Sequence, residues 1–200
     1  IEAGRNVGWV DVSEITDDMM SCCPFLMGSI ALHDEATVKE MASYDMTPET
    51  SVNLEGDRMS KAVLALQEYT GKKFDVLVPI ELAGANTSAA MAAASKLGIV
   101  TVDGDYTGRA IPEIVQITYN YNGHCLTPIA SVDEWGNECI IKSAINPRTV
   151  EHIGKLISVA AYGLAGQAGM ALDGKNTRNT VIPGTLSQCY EAGKTMREAK

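Results

Sequence analysis

Five carboxylates and amides fall within one short stretch of this chain, Val78 to Glu113, which reads VPIELAGANTSAAMAAASKLGIVTVDGDYTGRAIPE. Glu81 and Asp103 each follow a short apolar run, with Asn86, Asp105 and Glu113 close by in sequence. Paired carboxylates can divide general acid and base work between them, because burial and mutual repulsion separate their pKa values. They can also share a divalent metal such as Mg²⁺, Mn²⁺ or Zn²⁺ that activates water. Arg109 adds a guanidinium able to clamp an anion or hold a carboxylate in place.

The elements around these residues suit such a site. Phe74 to Ile80 (FDVLVPI) predicts a strand buried on both faces, ended by Glu81. Ser88 to Leu97 is Ala-rich and predicts a helix, with Asn86 or Thr87 as its N-cap and Gly98 as its stop. Ile99 to Val102 is a second strand ending at Asp103, so the stretch reads as one right-handed βαβ unit. Neighbouring strands lie about 4.8 Å apart, which would let Glu81 and Asp103 share a ligand, metal or proton. Ligands of open α/β sheets bind at this carboxyl edge. Pro112-Glu113 looks like the first turn of another helix. A structural reading stands beside the functional one: Asp103 and Asp105 as turn residues bonding their own backbone, and Arg109 with Glu113 as a surface pair at i, i+4. The Glu81–Asn86 loop lacks both the Lys-Ser/Thr of a phosphate loop and a G-x-G-x-x-G, which excludes nucleotide binding of those kinds.

The segments IELAGAN (Ile80 to Asn86), VDGDYTGRAIPE (Val102 to Glu113) and VIPGTLS (Val181 to Ser187), in this order and spacing, resemble the S-methyl-thiohydantoin desulfurase-like family. The likeness covers most of the chain, is clearest from Phe74 to Thr118, and takes in the closing helix Gly184 to Lys200. The family pattern has a carboxylate after the strand, matched by Glu81, then a Gly-Ala-Asn (Gly84 to Asn86), an Asp-x-Asp (Asp103, Asp105), a Gly-Arg-Ala (Gly108 to Ala110) and a Pro-Glu (Pro112-Glu113). The chain departs from it at Tyr106-Thr107, where Gly-Met is usual, at Ile111 in place of Phe, and at Ala83 in place of Gly. These positions would shape the pocket and so bear on which substrate fits.

The resemblance implies an enzyme of cyclic-amide metabolism, hydrolytic or desulfurising, acting on hydantoin-like rings in a context shared with hydantoinases and oxoprolinases. Asp103, Asp105, Glu81 and Glu113 would be its catalytic carboxylates, and Asn86, Gly84, Arg109 and Thr118 its substrate contacts. A covalent route through Cys125 or Thr118 lacks an evident base. From another class comes a non-catalytic module that holds a small molecule, or assembles within a larger complex, through the same strand-edge cleft. Family members carry a Gly-rich loop upstream and a β-rich domain downstream of the region matched here, so residues 1–200 are expected to form one α/β domain of a larger protein.

Composition narrows the classes. The chain of 200 residues has 46% hydrophobic and 20% charged residues and a net charge of −9, an ordinary globular balance with no basic patch for nucleic acid. No apolar run approaches the roughly 18 residues of a membrane span. Five cysteines without a C-x-x-C pair argue against a disulfide framework or structural zinc and fit reduced thiols in a cytoplasmic protein. The partner expected is a small cyclic amide, with room left for a homo-oligomer.

The rest of the chain completes a mostly parallel open sheet with βαβ units and a β-hairpin, three-layer-like. Val7 to Val12 and Ser21 to Met27 read as strands, and Asp57 to Tyr69 as an amphipathic helix stopped by Gly71. His33 to Leu54 has no clear period and reads as a connecting lobe. Leu126 to Ser131 and Glu138 to Lys142 flank a turn with Trp135 at its exposed tip. Asn146-Pro147 caps a helix to about Tyr162, with Val150, Ile153, Leu156, Ile157 and Ala160 as its apolar face and His152 beside it. The glycines of Ala160 to Ala171 predict close backbone packing, and Thr185 or Ser187 is expected to cap the last helix.

Overall fold

The computed structural model describes residues 7–52 and 57–199. In chain order the elements are β1 (Trp9–Val10), β2 (Met20–Gly28), α1 (Glu35–Ser43), α2 (Asp57–Thr70), β3 (Val76–Leu77), α3 (Gly84–Leu97), β4 (Val100–Val102) and β5 (Gly104–Asp105). There follow α4 (Thr118–Tyr121), β6 (Ile129–Val132), β7 (Glu138–Ile141), α5 (Pro147–Ala160), β8 (Leu164–Asp173), α6 (Gly174–Thr180), β9 (Ile182–Pro183) and α7 (Thr185–Glu198).

Seven strands form one sheet in the order β1-β4-β3-β2-β8-β6-β7, and β5 pairs with β9 in a separate two-stranded ribbon. The β1/β4, β4/β3 and β3/β2 pairs are parallel, while β8 runs antiparallel to both β2 and β6, and β7 antiparallel to β6. Five strands, β1 to β4 and β6, therefore point one way, which makes the sheet mostly parallel. The βαβ unit is as expected: Val76 pairs with Val100 and Leu77 with Thr101 across α3.

Strand alternation sorts the core into two layers. Cys22 and Leu77 face α2 and α3 with Met59, Val63, Leu66, Ala90, Ala93 and Ala94. Cys23, Val76 and Val78 face the other way, into a cluster with Phe25, Tyr106, Ile114, Ile117, Tyr119 and Val150 that α5 and the 106–126 segment close over. Both adjacent thiols are thus buried hydrophobes.

Several boundaries differ from the sequence reading. The first strand is only Trp9–Val10, because Asp11 caps a 3-10 turn, Val12–Glu14, with a reciprocal capping box. The connecting lobe contains α1, capped by Asp34, while its residues Asn53 and Leu54 lie outside the described residues. Helix α3 starts at Gly84 rather than Ser88, and its N-cap is Ala83 without a side-chain bond, since Asn86 and Thr87 spend their polar groups elsewhere. Pro112-Glu113 opens no helix; the chain there is an irregular loop, and α4 begins at Thr118. Trp135 is half-buried rather than an exposed tip, its indole N–H donating to Thr47 O at 3.2 Å.

The largest miss is β8, a ten-residue central strand. Its small residues are poor strand formers but are required by what crosses it. A Cβ at Gly166 would lie 2.4 Å from the backbone carbon of Arg58 in α2, and one at Gly169 would lie 2.8 Å from Ile129. Close packing, as the glycine spacing implied, selected the sequence here over strand propensity.

Candidate functional site

The loop Ile111–Ile114 is strapped down by two buried carboxylates from distant parts of the chain. Glu81 Oε2 accepts from Ile111 N at 2.6 Å, and Glu151 Oε2 accepts from Ile114 N at 2.7 Å. Glu81 follows β3, where the extended run Val78 to Ile80 carries it to the carboxyl end of the parallel strands. Its other oxygen accepts from Asn86 Nδ2 at 2.6 Å, and Asn86 Oδ1 in turn accepts from Leu26 N at 2.7 Å, which ties the first turn of α3 to β2.

Beneath this loop is a cavity of about 200 Å³ whose polar lining is Glu81, Asn86, Glu113, Glu151 and Lys155, with Phe25, Met27, Ile80 and Ile111 supplying apolar walls. A second hollow of about 330 Å³ adjoins it and is lined by Glu113, Val115, Arg148, Glu151, His152 and Lys155. Lys155 Nζ lies 2.8 Å from Glu151 Oε1 and 4.0 Å from Glu113 Oε1. Its hydrogen bond to Glu151, with the charge of Glu151 and Glu113, raises its pKa above the usual lysine value despite slight desolvation, so it stands as an ammonium at neutral pH. Glu113 is looser and about half exposed.

Such a cavity is smaller than the roughly 300–1,000 Å³ of drug-sized pockets and suits a small heterocycle. Carboxylate oxygens keep lone pairs beyond the bonds they already accept, and the ammonium has three donors. The cleft can therefore accept ring N–H groups and donate to a ring carbonyl at the same time.

Of the residues singled out in sequence, Glu81, Asn86 and Glu113 come together in this cleft. Asp103 and Asp105 do not line it. Asp103, from the end of β4, satisfies the first turn of α7: its Oδ1 accepts from Leu186 N and Ser187 N, both at 3.0 Å, and its Oδ2 from Ser187 Oγ at 2.6 Å. The expected sharing of one ligand by Glu81 and Asp103 thus gives way to separate partners, because α7 packs its N-terminus onto the end of β4. Ser187 takes part as a donor, and Thr185 is the first residue of α7 rather than its cap, which is Gly184.

Asp105 is wholly buried, accepting from Thr107 N at 3.1 Å, from Gly108 N at 2.9 Å and from Thr107 Oγ1 at 2.9 Å. Burial raises its pKa, against the lowering effect of the Thr185 and Thr107 hydroxyls and the Thr107 and Gly108 N–H groups. The turn-residue reading describes this geometry. Cys23 lies behind it; burial pushes its thiol well up, with Cys22, Asp105 and Glu81 adding to the effect.

Arg109 is exposed and donates to Ala110 O, its own neighbour, at 2.9 Å. Thr118 donates through both N and Oγ1 to Tyr106 O, at 2.9 and 3.2 Å, and so holds the loop rather than facing the cleft. Gly84 is exposed at the start of α3, outside the cleft lining. His124 meets Thr180 Oγ1 at 3.2 Å and lies against Tyr119 with the rings tilted by 51°, while Cys125 is exposed and 3.3 Å from Thr127 Oγ1. Among the described residues no three His, Cys, Asp or Glu side chains are grouped so as to hold a metal ion.

Glu151 and Lys155 were missed in the sequence. The apolar stripe assigned to α5 is rotated from the buried one, which is Val150, Glu151, Gly154 and Ser158, and Leu156 is 53% exposed. Gly154 was the usable signal, being a mid-helix glycine flanked by an i, i+4 Glu-Lys pair. A Cβ there would lie 2.8 Å from Met27 Sδ and 3.1 Å from Gln167 Oε1, so glycine lets α5 sit this close to β2 and β8 without displacing those side-chain ends.

A mixed α/β sheet with a polar cleft at the carboxyl ends of its parallel strands is the arrangement in which open α/β sheets hold their ligands. Residues 1–143 match the profile described as "S-Me-THD-like, N-terminal domain", and the chain belongs to that family. No curated protein matches it. A crystal structure of a protein from Chromobacterium violaceum shares the fold, with a TM-score of 0.77 at 23% identity over 96% of this chain and 50% of the other. The chain thus spans about half the length of that solved relative. Among the described residues no helix is long and apolar enough to cross a membrane.

Proposed function

We propose that the cleft under the 111–114 loop binds the five-membered ring of a hydantoin or S-methyl-thiohydantoin and promotes attack of water on it. One observation carries this reading: Glu81, Glu151, Glu113 and the ammonium of Lys155 line one cavity of about 200 Å³ at the carboxyl ends of the parallel strands, with Lys155 Nζ 2.8 Å from Glu151 and 4.0 Å from Glu113. The family's thiohydantoin-related name supports the same substrate class. Ring N–H groups donate to the carboxylates. Lys155 donates to a ring carbonyl and stabilises negative charge that develops on it, as a fixed cation does best in a partly dry site.

Glu113 takes the proton of the attacking water. The new C–O bond forms at the ring carbon that carries sulfur, the C–S bond breaks, and the proton passes to the departing thiolate as methanethiol. A hydantoin ring remains. The two strapped carboxylates also support a binding module without turnover, because both already hold backbone N–H groups and so make a rigid cradle. Calorimetric titration with hydantoin and S-methyl-thiohydantoin, with thiol release followed in parallel, tests both readings. Binding that Lys155→Met abolishes supports the cleft, and thiol release lost in Glu113→Gln supports catalysis. Binding unaffected by Lys155→Met, or absent for every ring, overturns the assignment.

A further inference from the structure

The ring cavity does not end at Lys155. A groove of about 560 Å³ continues from it along the C-terminal half of α5 and shares both Lys155 and Gly28 with the ring cavity. Its character differs. Ala31, Leu32, Val159 and Tyr162 give it apolar walls, and His33, Asp34 and Thr37 stand among them as polar residues, so past the ammonium most of the exposed lining is apolar.

The junction is built rather than incidental. Ser29 N donates to Gly163 O at 3.1 Å, and Ser158 Oγ donates to Met27 O at 2.8 Å, which fixes the end of β2 against α5. Gly28 has φ +129°, and a Cβ there would lie 1.9 Å from Gly163 O, so the sill between the two hollows must be a glycine. Tyr162 is held in a left-handed backbone conformation at φ +51°, and its hydroxyl donates to Glu40 Oε1 at 2.8 Å. A non-glycine residue kept in that conformation beside a cleft is costly unless the surroundings impose it.

We propose that this groove is a specificity subsite for an apolar substituent on the bound ring, so that the preferred substrate is a hydantoin or thiohydantoin carrying a branched aliphatic or aromatic group. The inference rests on the ring-binding reading above and deepens it. A ring seated between Glu81 and Lys155 has the groove as its continuation, and an apolar substituent placed there leaves water for Val159, Leu32 and the Tyr162 ring. Val159 is 70% and Leu32 99% exposed, which leaves apolar area for a substituent to cover.

The test compares hydantoin with 5-benzylhydantoin by calorimetric titration of the whole chain and of Val159→Gln, a neutral polar residue that does not compete for the Lys155 ammonium one turn away. Exposed as it is, Val159 can accept glutamine without unfolding the domain, and a second variant, Leu32→Asn, guards against a local distortion of α5. One methylene in an apolar pocket is worth roughly 10- to 200-fold in discrimination. The benzyl compound should therefore bind at least about tenfold more tightly than hydantoin, and both variants should erase that advantage while leaving hydantoin affinity unchanged. Equal affinity of the two compounds, or a benzyl advantage that survives both variants, overturns the subsite and leaves the ring cavity standing. Failure of both compounds to bind removes the ring reading and the subsite together.

Discussion

Replacing Asp103 by alanine removes three hydrogen bonds at once: two from the backbone N–H groups of Leu186 and Ser187 and one from the Ser187 hydroxyl. Hydrogen bonds to a charged group contribute roughly 1.5–3 kcal/mol, and loss of a helix N-cap costs about 0.5–2 kcal/mol. These figures describe overlapping interactions, so the expected loss for Asp103→Ala is about 3 kcal/mol rather than their sum. Asp103→Asn keeps an oxygen where Oδ1 stands and loses the negative charge at the helix N-terminus, for a cost of about 1 kcal/mol. Urea unfolding checks both, with the m-value unchanged if only the native state is affected. Hydantoin binding by the asparagine variant should equal that of the parent, because Asp103 lies outside the cleft lining. An alanine variant within about 0.5 kcal/mol of the parent would refute the capping argument. So would an asparagine variant that keeps its stability and loses binding.

Three other outcomes are expected. Ring binding that depends on the Lys155 ammonium should be level around neutral pH, since the lysine pKa is raised from 10.5; a fall near neutrality in a pH series of titrations would contradict it. Asp105 has a folded-state pKa raised above 3.8, so the folded protein holds that proton more tightly than the unfolded chain. Its ionisation lowers stability as pH rises from about that value through the folded pKa and leaves a constant deficit above it. Relative to Asp105→Asn, the parent should lose stability over that acidic range, as followed by denaturant midpoints; a parent that instead gains stability there would show the carboxylate is favoured, not penalised. Gly166→Ala should destabilise by about 1–3 kcal/mol through overpacking against Arg58, measured by thermal or urea unfolding, whereas an unchanged midpoint would mean α2 can shift away freely.

The βαβ unit was legible because its signals are local. Valine and isoleucine runs bounded by Glu81 and Asp103, an alanine-rich helix and Gly98, with φ +68° at the helix end, are each read from a few consecutive residues. The hairpin and the Asn146 cap of α5 were legible for the same reason. The family, too, was carried by short motifs in fixed order. Strand β8 was not, since its glycines and alanines answer to Arg58 and Ile129, residues more than thirty-five positions away whose approach no local pattern displays.

The site divides in the same manner. Glu81, Asn86 and Glu113 could be named from sequence because strand ends and helix starts are where ligands meet an α/β sheet, and the sequence marks those ends. It could not say which carboxylate would be left facing a cavity. That depended on where α7 and α5 docked: α7 set its N-terminus on Asp103 and turned a candidate catalyst into the acceptor for its first turn, while Gly154 let α5 come near enough to β2 to deliver Glu151 and Lys155. Which chemical groups the chain possesses is determined by sequence alone. Which of them still have a free face is decided by long-range packing, because an N–H donor from a distant helix end competes for a carboxylate oxygen with whatever ligand might otherwise reach it.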